Sequence, residues 1–189
     1  VHIATPPHWH ALISIAAAEA GKDVWCEKPM TRTIAEGRAV VDAVRRTGRI
    51  FRINTWFRFS GGFYGFGTEV RPIKKVVANR LLGWPLRATV SATTGFDWKF
   101  YWSGLTYARP EPVPPELDYD LWLGPAPWKP YHPHRVHGTF RGYCDYDGGG
   151  LGDMGMHYLD PVQYLLEKDD TSPVEIAADC PQQHPDACG

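Results

Sequence analysis

The chain has 189 residues, which suits one large domain or parts of two, and its formal net charge is −1. This charge gives no electrostatic case for binding nucleic acid or an anionic membrane surface. No run of roughly eighteen apolar residues occurs, so the sequence predicts no membrane-spanning helix. The 13% of aromatic residues, with 19 Gly and 17 Pro, favours long ordered loops packed by large side chains.

Strand and helix signals alternate along the first part of the chain. Strands are predicted over Val1–Ala4, Asp23–Cys26 and Ile50–Asn54. A helix is predicted between each pair of strands, and this order indicates a parallel sheet with crossover helices. We therefore expect residues 1–56 to form the C-terminal part of a Rossmann-type, doubly wound parallel sheet.

The two helices of this part have clear boundaries. The first is predicted over His8–Ala20, because Gly21 is a natural left-handed stop. The second opens at a capping box, Thr33 with Glu36, and ends before Gly48.

Residues 57–189 are expected to form part of an α+β substrate domain. A helix is predicted over Glu69–Arg80, and strands over Leu86–Ala92 and Val174–Ala178. The stretch from Thr94 to Tyr146 has little periodicity, and Ser60–Gly67 is a Gly/aromatic loop. The many Trp and Tyr in the longer stretch argue against disorder, so we predict an ordered excursion that covers a site.

Glu27-Lys28-Pro29 follows the second predicted strand directly. Open α/β sheets bind ligands at the carboxyl ends of their strands, so these side chains are candidates for the site. Pro29 favours an extended Lys28 and ends the strand's hydrogen bonding. The alternative is a solvated Glu–Lys pair in a turn.

A second candidate lies after three consecutive glycines, Gly148–Gly150. Asp153 and His157 are four residues apart, so a helix from Leu151 would put both on one face, with Asp160 near the same stripe. A carboxylate that orients an imidazole is typical of a proton-transfer pair. The alternatives are an exposed ion pair, or an N-terminal cap beside an incidental histidine. Pro161 is expected to bend this helix.

Metal binding has little support in the sequence. Side chains two residues apart on a helix point in roughly opposite directions, so His8 and His10 are poor co-ligands. The second H-x-H pair, His132 and His134, lies between prolines in a loop. No cysteine shows CxxC spacing, and the choice between free thiols and one bridge stays open.

Taken together, these stretches resemble the glucose-fructose oxidoreductase/inositol dehydrogenase (Gfo/Idh/MocA) family. Thr5-Pro6-Pro7 with His10 is similar to its cofactor-side turn, and Glu27-Lys28-Pro29 to its signature lysine motif. Gly152–Asp160 is similar to its catalytic helix. Two motifs about 125 residues apart in the right order are more specific than either alone.

The resemblance implies an NAD- or NADP-dependent enzyme that transfers hydride at a carbon bearing a sugar or polyol hydroxyl. In that family His157 would accept the proton, Asp153 would pair with it or hold a neighbouring hydroxyl, and Lys28 would touch the reacting oxygen and the nicotinamide side. The expected cofactor-side residues are Thr5, Pro6, His10, Glu27, Lys28, Asn54 and Arg58. The expected partner is a small carbohydrate, with homo-oligomerisation of the full-length protein.

The sequence departs from the family in one respect. It contains no Gly-rich phosphate turn after a strand and no ribose-binding acidic residue, so NAD cannot be told from NADP. We expect both to lie upstream of Val1. Residues 1–189 alone are expected to bind neither cofactor measurably, to be catalytically silent and to associate through an uncovered sheet edge.

Two other functions remain open at this stage. One is an NAD-dependent glycosidase that acts by transient oxidation, a known exception to the two-carboxylate scheme. The other is a non-enzymatic sugar-binding relative, which the presence of Lys28, Asp153 and His157 together disfavours. The sequence leaves the compartment open between the cytoplasm and a bacterial periplasm.

Overall fold

The structure, a computed structural model, describes residues 1–55, 70–90 and 103–179. These residues divide into two compact units. The first contains residues 1–54 and 103–153, and the second contains residues 55, 70–90 and 154–179. The predicted loop over Ser60–Gly67 lies outside the described residues.

A three-stranded parallel sheet forms the centre of the first unit. Its strands are β1 (His2–Ile3), β2 (Val24–Cys26) and β3 (Phe51–Ile53), in the spatial order β1-β2-β3. The predicted parallel pairing is confirmed. The prediction that all of Val1–Ala4 is a buried strand is wrong, because only Ile3 is buried, at 2% exposure, and the other side chains face outward.

Two helices connect the strands and confirm their predicted boundaries. Helix α1 spans Pro7–Glu19 and helix α2 spans Ile34–Thr47. Both bonds of the predicted capping box are present at the start of α2. The residue after α2, Gly48, has φ of 65°, the left-handed conformation that glycine adopts without steric cost.

The core between sheet and helices is small and aliphatic. It consists of Ile3, Ala17, Val24 and Cys26, with Ile13 and Phe51 packed against it. Burial raises the pKa of the Cys26 thiol to about 11, so this cysteine is a protonated core side chain. It is a free thiol, as is Cys144.

The described residues from 103 to 147 are ordered mainly by aromatic side chains. Their regular structure is limited to α4 (Tyr119–Leu123) and two 3₁₀ turns, Pro133–Arg135 and His137–Gly142. The largest buried cluster of this region, called here the tyrosine cluster, consists of Tyr119, Leu123, Tyr131, Val136, Phe140, Tyr143 and Tyr146. The predicted order of this excursion is confirmed for these residues, and that it covers a site stays a prediction.

Helix α1 contacts this region at close range. Trp9 and His8 both bond the carbonyl of Trp122, at 3.2 and 3.0 Å. A Cβ atom on Gly124 would lie 2.1 Å from the Trp9 ring, so the close approach requires glycine there. The sheet and the tyrosine cluster are thereby joined within one unit.

The second unit pairs two helices. Helix α3 spans Val70–Ala78, as predicted, and α5 spans Met156–Leu165. Between them, the ammonium of Lys74 lies 3.9 Å from the centre of the Tyr164 ring. No helix within the described ranges has the length and apolar character needed to cross a bilayer.

Two predicted strands are wrong. Residues 86–90, the described part of Leu86–Ala92, and the whole of Val174–Ala178 have no regular secondary structure. Val174 and Ile176 are exposed. Alternating residue types predict a strand only where a neighbouring strand supplies hydrogen bonds, and neither segment pairs with one among the described residues.

Candidate functional site

Lys28 lies where the three parallel strands end. The N–H of Glu27 donates to the carbonyl of Ile3 at 2.9 Å, and that of Asn54 donates to the carbonyl of Cys26 at 2.8 Å. These bonds extend the sheet by one step on either side of β2. They fix the turn that carries Lys28 at the edge where α/β sheets bind their ligands.

The ammonium of Lys28 is held by Asp153. Its Nζ donates to the carboxylate Oδ1 and, at 3.0 Å, to the backbone carbonyl of the same residue. The two side chains are 12% and 11% exposed. Two motifs 125 residues apart in sequence thus meet in one largely buried ion pair.

The second carboxylate oxygen of Asp153 is also engaged. Arg141 donates from Nε to Oδ2 at 2.7 Å, and its guanidinium also reaches the carbonyl of Gly138 at 3.2 Å. One carboxylate therefore lies between two cations. Removing one partner of such a buried pair is far more costly than removing an exposed charge, because the remaining charge stays in a poor solvent.

Asp153 is presented by a π-helical turn, Leu151–Gly155. The helix predicted from Leu151 onward therefore starts as a π-turn, and α5 follows it from Met156. Gly149, just before the turn, has φ of 68°, a conformation that favours glycine. Single π-turns are frequent at functional sites, because they re-aim a side chain within a helix.

His157 lies on α5 and is 7% exposed. Asp160, on the same helix, is 8% exposed. Helix α5 continues through Pro161 to its end at Leu165. Asp153 belongs to the first compact unit and His157 to the second, and the proton-transfer pairing between them stays a prediction.

His10 joins the turns that follow β1 and β2. One ring nitrogen lies 2.7 Å from the carbonyl of Thr5 and the other lies 2.7 Å from the carbonyl of Pro29. The side chain is 1% exposed. His10 thus links the turns that follow β1 and β2, and its role toward a cofactor stays a prediction.

The remaining cofactor-side candidates lie along the same edge of the sheet. The Asn54 amide donates to the Glu27 carboxylate at 2.7 Å. Pro6 is the N-cap residue directly before α1. Arg58 lies outside the described residues.

Two residues of this cluster escaped the reasoning from sequence. Arg141 contacts Asp153 directly, and Asp147 is a carboxyl group only 3% exposed beside them. Asp147 directly precedes the three glycines. A carboxylate in such a loop is ordinarily solvated, so its position in the sequence does not indicate burial. Both residues lie in the stretch from Thr94 to about Tyr146 or directly after it, where the sequence has little periodicity, so these contacts could not be inferred from the pattern.

The four histidines of the H-x-H pairs have other partners. Burial lowers the pKa of His8, whose Nε2 faces the Trp122 carbonyl, and that of His134, whose Nδ1 lies 3.0 Å from the Tyr143 hydroxyl. His132 accepts from the backbone N–H of His134 at 3.0 Å. In the part of the chain that the structure describes, no group of three metal-ligating side chains converges.

Two models of one family match successive parts of this chain. Residues 1–55 match the NAD-binding Rossmann fold of the Gfo/Idh/MocA oxidoreductase family, and residues 66–189 match that family's C-terminal alpha/beta domain. The parallel sheet agrees with the first of these matches, whose family is one of NAD-binding oxidoreductases. The chain belongs to the Gfo/Idh/MocA family.

Individual relatives are similar over different shares of the chain. It is 62% identical over 45 residues to levoglucosan dehydrogenase of Pseudarthrobacter phenanthrenivorans, covering 24% of this chain and 12% of the relative. It is 23% identical over 166 residues to D-glucoside 3-dehydrogenase of Escherichia coli, covering 88% and 35%. The chain therefore spans about a third or less of the length of these relatives.

A solved structure supports the fold. The WlbA dehydrogenase from Bordetella pertussis, in complex with NADH and UDP-GlcNAcA, superposes with a TM-score of 0.55. The sequences are 22% identical, and the match covers 87% of this chain and 39% of the other. At this identity the likeness establishes the shared fold alone.

Proposed function

We propose that the full-length protein is an NAD- or NADP-dependent dehydrogenase that oxidises a secondary hydroxyl of a sugar, polyol or sugar derivative. The observation that carries the proposal is the Lys28–Asp153 ion pair at the carboxyl end of β2. The similarity to levoglucosan dehydrogenase and D-glucoside 3-dehydrogenase favours a carbohydrate substrate.

The donor set at the sheet edge fits the nicotinamide half of a dinucleotide. Thr5 offers an exposed hydroxyl, Asn54 an amide and Lys28 an ammonium, all following the ends of parallel strands. Such groups hydrogen-bond a carboxamide or ribose hydroxyls, and Pro6 and Glu27 shape the same edge. The cofactor, when bound, supplies the hydride acceptor, and the protein supplies orientation and proton transfer.

The side chains divide the remaining work. Oxidation of an alcohol to a ketone transfers a hydride from carbon and releases the hydroxyl proton. The proposed role of Lys28, which is held by Asp153, is to hydrogen-bond the reacting oxygen and to stabilise its developing negative charge. His157 is the proposed proton acceptor, because an imidazole exchanges protons near neutral pH.

The test is an assay of the full-length gene product with NAD and NADP against a panel of sugars and polyols, following reduced nicotinamide. We expect Lys28→Met, Asp153→Asn and His157→Ala each to lower turnover by about 10²–10⁴-fold. Lys22→Met is the matched control, an exposed lysine before the same strand, and should leave the rate unchanged. Turnover of His157→Ala within a few-fold of wild type would refute its role.

A glycosidase that works by transient oxidation has no support from these findings. The same assay tests it with a chromogenic glycoside. Release of the chromophore without net formation of reduced cofactor would favour the glycosidase and contradict the proposed dehydrogenase.

A further inference from the structure

Asp147 is the most deeply buried carboxyl group near the Lys28–Asp153 pair. The residue is 3% exposed, and neither of its carboxyl oxygens has a hydrogen-bond partner. Its neighbour Asp145 is different, with a side chain 23% exposed and 3.9 Å from the Lys129 ammonium. A buried carboxylate without a donor is costly, so Asp147 needs either a proton or compensating charge nearby.

The charges around Asp147 come from three separate turns of the first unit. Burial is the largest influence and raises the pKa of Asp147, the negative charge of Asp153 raises it too, and Arg141 and Lys28 lower it, so that the net pKa is about 6. The amide of Gly148 is close enough to lower it as well, although no carboxyl oxygen meets that amide in hydrogen-bond geometry. The two cations that bind Asp153 therefore also act on the pKa of Asp147.

Those cations are already committed to Asp153. Lys28 contacts Oδ1 and Arg141 contacts Oδ2, so neither is hydrogen-bonded to Asp147. With Asp147 ionised, two cations face two carboxylates and the four groups sum to zero. With Asp147 protonated, the sum is +1.

We propose that Asp147 is a positioning residue of the site, a buried carboxyl group that takes up and releases a proton and thereby switches the summed charge of Asp147, Lys28, Asp153 and Arg141 between +1 and 0. This inference rests on the proposed dehydrogenase activity for its catalytic consequence. When the substrate's hydroxyl proton moves onto a protein group, positive charge develops in the site. Ionised Asp147 stabilises that charge through space, without touching substrate or cofactor.

The direct test is an NMR titration of aspartate carboxyl carbons in the full chain. We expect one resonance to titrate near pH 6 and to vanish in Asp147→Asn. Removing the neighbouring negative charge with Asp153→Asn should lower its midpoint, and removing a cation with Lys28→Met should raise it. A residue that is merely buried would respond to neither change.

The titration stays decisive if Asp147→Asn does not fold. The resonance that moves in opposite directions in Asp153→Asn and Lys28→Met then identifies Asp147 in the otherwise intact protein. The absence of any aspartate titrating between pH 5 and 7, or a midpoint unmoved by both variants, would overturn the proposal.

The catalytic consequence is measured on the full-length gene product. We expect Asp147→Asn to lower kcat/KM for oxidation by about tenfold and to make the acid limb of its pH profile shallower, whereas Asp145→Asn keeps the wild-type shape. An unchanged acid limb in Asp147→Asn would contradict the positioning role. If no sugar or polyol is oxidised at all, the proposed function fails, while the NMR titration still decides the charge switch.

Discussion

The turn after β2 and the tyrosine cluster bring the two halves of the Lys28–Asp153 pair together by different means. The turn is fixed by backbone hydrogen bonds to the neighbouring strands and by His10, whose two ring nitrogens face the carbonyls of Thr5 and Pro29. The region of the tyrosine cluster has little regular structure, and large buried rings determine its path. The half of the site that carries Asp153 therefore depends on side-chain packing, and the half that carries Lys28 depends on backbone geometry. The two halves should respond differently to mutation.

The largest stability effect should come from truncating a ring of the tyrosine cluster. Tyr143 is fully buried, and its hydroxyl accepts from the N–H of Leu105 at 3.2 Å. Tyr143→Ala should lower the free energy of unfolding by about 3–5 kcal/mol, as for other buried aromatic residues, measured by urea denaturation. Tyr107→Ala, at a tyrosine 92% exposed, is the control and should cost less than about 0.5 kcal/mol. A cost below about 1 kcal/mol for Tyr143→Ala would mean that packing does not hold this region.

The next effect in size is a pH dependence of the free energy of unfolding, and it originates at Asp147, beside the Lys28–Asp153 pair. The pKa of Asp147 is about 6 in the folded chain against an ordinary value of 3.8, a difference of about two units. Between roughly pH 4 and 6 the folded chain holds a proton that the unfolded chain has released. The stabilisation that Asp147 contributes through its raised pKa is therefore fully present below pH 4. It is lost as the pH rises to 6, which lowers the free energy of unfolding by at most about 3 kcal/mol.

Asp147→Asn should remove this slope from a plot of unfolding free energy against pH, and Asp145→Asn should keep it. Stability of the wild type that rises steadily from pH 4 to 6, with Asp147→Asn parallel to it, would show that Asp147 is not protonated in the folded chain.

The backbone-determined half should show a smaller effect from its local signals. Thr33 accepts from the N–H of Glu36 at 3.2 Å and caps α2. Thr33→Ala should cost about 1 kcal/mol in urea denaturation, whereas Thr33→Ser retains the accepting oxygen and should cost much less. Equal losses for both variants would assign the effect to the lost methyl group instead of the cap.

The same division explains what could be predicted from the sequence. The cap at Thr33 and the glycine stop at Gly48 are local signals, and they fixed α2 to its observed ends. The strand predicted over Val174–Ala178 failed because a strand also needs a neighbour, which a short alternating pattern cannot specify.

The candidate site was predictable only in part for a related reason. Lys28, Asp153 and His157 lie in recognisable motifs, and the resemblance to a family singled them out. Asp147 owes its importance to burial and to the charges that tertiary packing brings beside it, and Arg141 owes its importance to its contact with Asp153. An aspartate in a Gly-rich loop is ordinarily solvated, so only the folded chain distinguishes Asp147 from Asp145.

The smallest expected effect comes from an exposed ion pair, which shows what a charge pair contributes when it is not buried. Glu19 of α1 and Arg46 of α2 form an ion pair of 2.6 Å, but their side chains are 53% and 61% exposed. Water screens such a pair, so a double-mutant cycle with Glu19→Gln and Arg46→Gln should give a coupling of at most about 0.5 kcal/mol. The coupling should fall further in 1 M salt, where exposed charges interact only over about 3 Å. A coupling above about 1 kcal/mol that resists salt would mean that this pair is as shielded in solution as Lys28 and Asp153, and that exposure does not separate structural from functional charges in this fold.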